Sequence, residues 1–123
     1  MKKMRIFEPL STCMLALLLA PLAAYGAPLQ PDGTTNTTLD RARNGVPIVN
    51  IASPNAAGLS HNRFTHYNVN ANGLILNNAR TTAVRTQLGG YITGNPHLSN
   101  NARLILNEVT STNRAQLNGF TEV

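Results

Sequence analysis

The sequence predicts an all-β chain behind a helical, apolar leader, and three observations carry that expectation. Tyr67, Val69 and Ala71 alternate with Asn68, Asn70 and Asn72 in the stretch THYNVNANG, and a period of two belongs to a strand with one buried face. The apolar run Leu74-Ile75-Leu76-Asn77 returns as Leu104-Ile105-Leu106-Asn107. Between such runs the chain is punctuated by Gly, Pro and Asn, the residues of turns.

The leader comes first. Lys2, Lys3 and Arg5 form a positive n-region, Met14 to Ala20 an apolar h-region, and Pro21 breaks it ahead of small residues. This is the layout of a secretory signal peptide. Its apolar core is shorter than the roughly 20 residues a membrane-spanning helix needs. Cleavage between Gly26 and Ala27 puts Ala24 and Gly26 at the two small-residue positions, so residues 1–26 are expected to be removed and no membrane span to remain. Cys13 precedes the apolar core, whereas a lipidated cysteine follows it. The exported chain then has no cysteine, and so neither disulfide nor thiolate metal site.

Residues 27–45 read as an extended or loosely ordered lead-in, rich in Pro, Gly, Thr and Asn. Val46 to Ala52 is a strand, with Pro47 placing it at an edge or start, and Ser53 to Gly58 is turn material. Strands follow at Thr65 to Gly73, Leu74 to Asn78, Tyr91 to Thr93, Ala102 to Val109 and Ala115 to Val123. Thr81 to Leu88 is a helical candidate stopped by Gly89 and Gly90. The expected core includes Tyr67, Val69, Leu74, Leu76, Leu104 and Leu106.

The internal echo is not a strict repeat. LILN recurs at an offset of 30 and Asn-Asn-Ala-Arg at an offset of 23. Short strands returning at roughly 20 to 30 residues suit a solenoid, in which each coil buries its apolar face on the next. Stacked asparagines would then bond along the axis. A β-sandwich would accept the same strands.

Composition excludes more chemistry than it suggests. Removing the leader lowers the net charge from +5 to +3 and leaves seven basic residues, all arginine: Arg41, Arg43, Arg63, Arg80, Arg85, Arg103 and Arg114. They are scattered singly, unlike the clustered face of a nucleic-acid binder. The remaining carboxylates are Asp32, Asp40, Glu108 and Glu122, few for paired-acid catalysis. His61, His66 and His97 lack the further ligands of a metal site. No phosphate-binding glycine loop occurs. Asn36-Thr37-Thr38 matches the glycosylation pattern, a short motif that recurs by chance. The expectation is a protein with no catalytic residues, cofactor or metal.

From Asn44 to Val123 the residues resemble a family. NGVPIVNIASPNAAGLSHNRFTHYNVNANGLILNN, then Asn95-Pro96-His97-Leu98, then ARLILNEVTSTNRAQLNGFTEV are similar to the start of the two-partner secretion domain. That domain opens filamentous haemagglutinins, haemolysins and contact-dependent inhibition toxins of Gram-negative bacteria. The motif Asn95, Pro96, His97, Leu98 stands where the family has Asn-Pro-Asn-Leu, with His97 replacing the usual Asn. The resemblance implies a right-handed parallel β-helix, of which residues 46–123 would be the cap and first coils. It implies a module that is not an enzyme, crosses the inner membrane first, and is recognised by periplasmic domains of an outer-membrane β-barrel transporter. The exoprotein would be secreted or held at the cell surface. The family's second motif, Asn-Pro-Asn-Gly-Ile, follows a GFTEV-like strand and is absent here, so the 97 residues after the leader are expected to be poorly stable or self-associating in isolation. The alternative is an adhesin segment that binds carbohydrate or a host surface, for which Phe64, Tyr67, Tyr91 and Phe120 are too dispersed to form a stacking cluster.

Overall fold

The structure is a computed structural model that describes residues 28–123. The expected signal peptide and the Gly26–Ala27 junction lie outside the described residues. Ten strands and no helix occur among them: β1 (Leu29–Pro31), β2 (Thr38–Arg41), β3 (Pro47–Asn50), β4 (Leu59–Val69), β5 (Leu74–Asn77), β6 (Val84–Thr86), β7 (Gly90–Ile92), β8 (Leu104–Val109), β9 (Gln116–Leu117) and β10 (Thr121–Glu122).

Two sheets carry the architecture, and each begins antiparallel and continues parallel. In one, β1 lies antiparallel to β4, and β4 runs parallel to β8 and, further along, to β9. In the other, β2 lies antiparallel to β3, followed by parallel β5 and β10. Ile48 pairs with Ile75 and Val49 with Leu76, a step of 27 residues. The next round is longer: Leu59 pairs with Leu104 and Ile75 with Glu122, steps of 45 and 47. The extra length holds the antiparallel hairpin β6–β7 and the turn at residues 95–98. A chain whose rounds differ in length cannot show one sequence period, and neither sequence offset, 30 or 23, equals a step between paired strands.

The strand pair β3–β5 is covered on both faces. Val49, Ile51, Leu74 and Leu76 face one cluster, with Leu29, Phe64, Tyr67 and Val69. Ile48 and Ile75 face a second, with Ala42, Val46 and Ile92 and the flanking Val84 and Leu88. All four residues of β5 are therefore buried, which is how a parallel strand with two covered faces reads as an unbroken apolar run. Burying each large aliphatic side chain contributes about 1.5–3 kcal/mol. Phe64 and Tyr67 meet edge to face, ring centroids 5.0 Å apart, a geometry that adds roughly 0.5–1.5 kcal/mol.

Both Phe64 and Tyr67 face inward because β4 carries a bulge. Its buried positions run Ser60, Asn62, Phe64 and then Tyr67, Val69. The pairing with β1 skips Thr65: Gln30 faces His66 and Pro31 faces Phe64. One inserted residue shifts the alternation by one. The Thr65 carbonyl accepts from Ser111 Oγ at 2.6 Å and Asn113 Nδ2 at 2.9 Å instead of from a ladder partner.

Two expectations are corrected, and the echo in the sequence finds its place. Thr81–Leu88 is no helix: Val84–Thr86 forms a strand whose Val84 pairs with Ile92. Thr81, Thr82, Val84 and Thr86 are β-branched and disfavour a helix, and Gly90 turns the hairpin at φ 71°. Leu104 and Leu106 are not core; they are 64% and 45% exposed. The β4–β8 register aligns Ser60 with Ile105 and Asn62 with Asn107, so Ile105 and Asn107 turn inward while Leu104 and Leu106 turn out beside Leu59 and His61. A step of one residue exchanges faces. Finally, the two LILN runs do not stack on each other, since β5 and β8 lie in different sheets.

Candidate functional site

The Asn95–Leu98 turn is built where the long second round closes back on the first. Asn95 is buried and its polar groups are occupied. Its backbone N–H donates to the Ala79 carbonyl at 2.8 Å. Its Nδ2 donates to the Ile51 carbonyl at 2.8 Å and the Asn77 carbonyl at 2.9 Å. Its Oδ1 accepts from the His97 N–H at 2.8 Å, the local bond by which asparagine shapes turns. Asn95 thus joins the chain just after β3 to the end of β5. Pro96 is exposed; its ring fixes its own φ and biases Asn95 to an extended backbone. Leu98 packs against the first core cluster. Gly94 precedes the motif because a Cβ there would overlap the Thr81 carbonyl.

His97 faces the lead-in. Its Nε2 is 3.2 Å from Thr38 Oγ1, and its Nδ1 makes a long contact of 3.5 Å with Asn36 Nδ2. The amide nitrogen can only donate, so this network assigns Nδ1 as the acceptor and Nε2–H as the donor to Thr38. The residue that departs from the family pattern therefore reaches the strand that starts the second sheet.

Two buried networks support the turn. Asn77 Nδ2 donates to Asn50 Oδ1 at 3.0 Å, across the parallel β3–β5 pair, and to the Thr93 carbonyl at 2.9 Å. Asn62 Oδ1 accepts from Thr37 Oγ1 at 2.7 Å and the Ala52 N–H at 2.9 Å, and Ser60 Oγ donates to the Ala52 carbonyl at 2.6 Å. The asparagines thus stitch neighbouring rounds, as the ladder idea requires for Asn50 and Asn77. Thr37, Ser60 and Asn62 are missing from the sequence-based site. The alternation of Ser60, Asn62 and Phe64 was a signal for their burial.

The histidines occupy separate settings. His61 Nε2 is 2.7 Å from Glu108 Oε1, and Arg63 Nε is 3.4 Å from the same oxygen, on the outer face of β4–β8. His66 Nε2 lies 3.4 Å from Asn113 Nδ2. Among the described residues no group of three His, Cys, Asp or Glu could hold a metal ion. Burial pushes the Tyr67 hydroxyl above its usual range, and it accepts from Asn107 Nδ2 at 3.2 Å, a structural contact rather than a nucleophile's setting. The arrangement is one of hydrogen-bonded turns and strand edges.

Comparison with known proteins agrees with that geometry. The model of the TPS secretion domain matches residues 27–123. A 16S rRNA endonuclease CdiA of Enterobacter cloacae is 48% identical over 98% of this chain, which covers 4% of that protein. A tRNA nuclease CdiA of Escherichia coli is 55% identical over 83% of this chain, which covers 3% of it. Filamentous hemagglutinin of Bordetella pertussis is 43% identical over 89% of this chain, again 3% of the relative. The crystal structure of the filamentous hemagglutinin secretion domain superposes with a TM-score of 0.71 at 41% identity, covering 77% of this chain and 31% of that one. The chain therefore spans only a few per cent of these curated relatives, and the nuclease activities in their names belong to those whole proteins.

Proposed function

The chain belongs to the TPS secretion domain family, and from that premise we propose that it is the targeting module of an exported exoprotein, recognised by the periplasmic domains of an outer-membrane β-barrel transporter. The observation that carries this reading is the family match over residues 27–123 together with a site of buried amide staples rather than reactive groups. The parallel pairs β3–β5–β10 and β4–β8 support a further step: the rounds are the first coils of a right-handed parallel β-helix, and the Asn95 staple is what closes the second coil and nucleates the next. In this role Asn95 and Leu98 hold the turn, while Pro96 and His97 face outward and towards the lead-in. The module itself is not an enzyme. Residues 1–26 are removed between Gly26 and Ala27 on the way to the periplasm, and the lead-in 27–45 supplies the antiparallel strands β1 and β2 on which the body 46–123 is built.

The test is direct binding. The exported chain, recovered from the periplasm, is applied to the immobilised periplasmic region of its transporter. Saturable binding, with mass spectrometry placing the N-terminus at Ala27, is the expected result. No binding at tens of micromolar would overturn the targeting role.

A further inference from the structure

The geometry points to the outward face of the β6–β7 hairpin, centred on Arg85 and Tyr91, as the surface that docks an acidic segment of the transporter's periplasmic region. This inference rests on the targeting role proposed above and adds the place of contact and its chemistry.

The hairpin is an excursion from the parallel stack, and its two faces differ. Ile92 and Val84 pack into the second core cluster and Thr86 is buried. Arg85 and Tyr91 are direct cross-strand partners and both face out. Opposed residues of an antiparallel pair hold their Cβ atoms about 4.5–5.5 Å apart, so the two side chains leave the same face of the hairpin from adjacent positions. Tyr91 is 69% exposed, while Phe64 and Tyr67 are buried. Exposed Tyr beside Arg is the composition of interface anchors.

The surface is rigidly supported. The Glu122 carboxylate accepts from the Gln87 N–H at 2.9 and 3.1 Å and from the Leu88 N–H at 3.0 Å. Gly89 N–H donates to Thr86 Oγ1 at 3.0 Å, and Thr86 Oγ1 donates to the Gly90 carbonyl at 2.6 Å. A face held before contact loses less ordering entropy on binding. Asn44 Nδ2 donates to the Leu88 carbonyl at 2.8 Å, which brings the β2–β3 turn, with Arg41 and Arg43, beside the hairpin. Among the described residues the ion pairs are those of Glu108 with His61 and Arg63. Among the described residues Arg41, Arg43 and Arg85 have no carboxylate partner, although Arg41 Nη1 donates to the Gly45 carbonyl at 3.1 Å. The two acids on this side are engaged by backbone N–H groups, Glu122 as above and Asp40 by Arg41 at 2.8 Å. The side chains left free to meet a partner are cationic and aromatic, and an acidic segment complements them.

The test uses the same binding assay at low and physiological salt, with Arg85→Glu, Tyr91→Ala, and Arg114→Glu as a charge-matched control away from the hairpin. Arg85→Glu and Tyr91→Ala are each expected to weaken binding about tenfold. Arg85→Glu should flatten the salt dependence, and Arg114→Glu should stay within about twofold. Because both side chains are exposed, melting temperatures should match the wild type, which separates lost contact from lost fold. Wild-type affinity in both hairpin variants overturns the docking face and leaves the targeting role standing. An equal loss in Arg114→Glu overturns it in favour of attraction by net charge alone. No binding by the wild-type chain overturns both.

Discussion

The two ends of the strand stack are finished differently. At the first end the edge strands are β1 and β2, three and four residues long. One carries Pro31 and a register shift, the other Asp40 and Arg41. Short, charged, proline-bearing edges resist further pairing. At the other end β8 is six residues long, and its outward leucines are exposed. Among the described residues Leu104, Leu106, Leu117, Phe120 and Val123 are exposed large apolar residues from β8 onward, and before β8 the exposed ones are Leu39 and Tyr91. The difference teaches that the same asparagine-and-aliphatic alphabet yields a covered face where antiparallel strands lie over it and an exposed one on the outer side of the parallel strand β8.

The largest expected effect contrasts the two ends in stability. Phe64 is fully buried beneath β1, and Phe64→Ala should cost about 3–5 kcal/mol. Leu117 is 68% exposed, and Leu117→Ala should change stability by no more than about 0.5 kcal/mol. Denaturant unfolding of the two variants measures both. Equal losses would mean that the second end is as well packed as the first.

The next effect tests the staple between rounds. Asn95→Asp is nearly isosteric but cannot donate to the Ile51 and Asn77 carbonyls. Each buried acceptor left unpaired costs roughly 1–3 kcal/mol, so at least about 2 kcal/mol is expected for the pair, read as a lower melting temperature. A variant as stable as the wild type would remove the staple from the account of how the second round closes.

How much of this was legible in the sequence follows from the same contrast. Tyr67, Val69, Leu74 and Leu76 were identified as core because each lies in a run with a definite phase, and all four are buried. Leu104 and Leu106 were expected in the core as well but face solvent, because the LILNEV run has apolar residues on both faces, and only the pairing with Ser60 and Asn62 decides which turn inward. The bulge at Thr65 was hidden for the same reason: alternation is visible on each side of it, but not the one-residue slip between them. The hairpin was mistaken for a helix because eight residues with a double-glycine stop fit a short helix as well as a strand and turn. The Asn-Pro-His-Leu turn was conspicuous, but the residues it ties down, Ile51, Asn77, Ala79 and Thr38, lie 16 to 59 positions away in the sequence, and register alone brings them within bonding distance.

A smaller effect sharpens the account of the exposed end. Leu104→Lys and Leu106→Lys place charge on the outer face of the edge strand β8, a device that blocks edge pairing. Sedimentation of residues 27–123 should show self-association in the wild type and less in the double variant. Stability should shift by about 0.5 kcal/mol or less, since both side chains already face solvent. Association unchanged by the two lysines would assign the contact to another surface.

The smallest effect concerns the one carboxylate that links the two ends. Asp32 follows β1, and its Oδ1 accepts from the Thr34 hydroxyl at 2.6 Å and the Thr34 N–H at 2.9 Å. Its Oδ2 accepts from Thr110 Oγ1 at 2.8 Å, just beyond β8. These bonds, the Thr34 hydroxyl first, with help from the Arg63 charge, hold its pKa below the ordinary carboxylate value. A carboxylate whose folded pKa is depressed contributes stability that is full above its unfolded pKa, about 3.9, and is lost as pH falls towards the folded value. The wild type should therefore lose stability between about pH 5 and pH 3 more steeply than Asp32→Asn, which cannot ionise. The gap between the two melting curves should close as the pH drops. Because the group is solvent-exposed, screening keeps the effect small, and it should shrink further in high salt. Parallel curves across that window would show that the charge of Asp32 adds nothing to its bonds with Thr34 and Thr110.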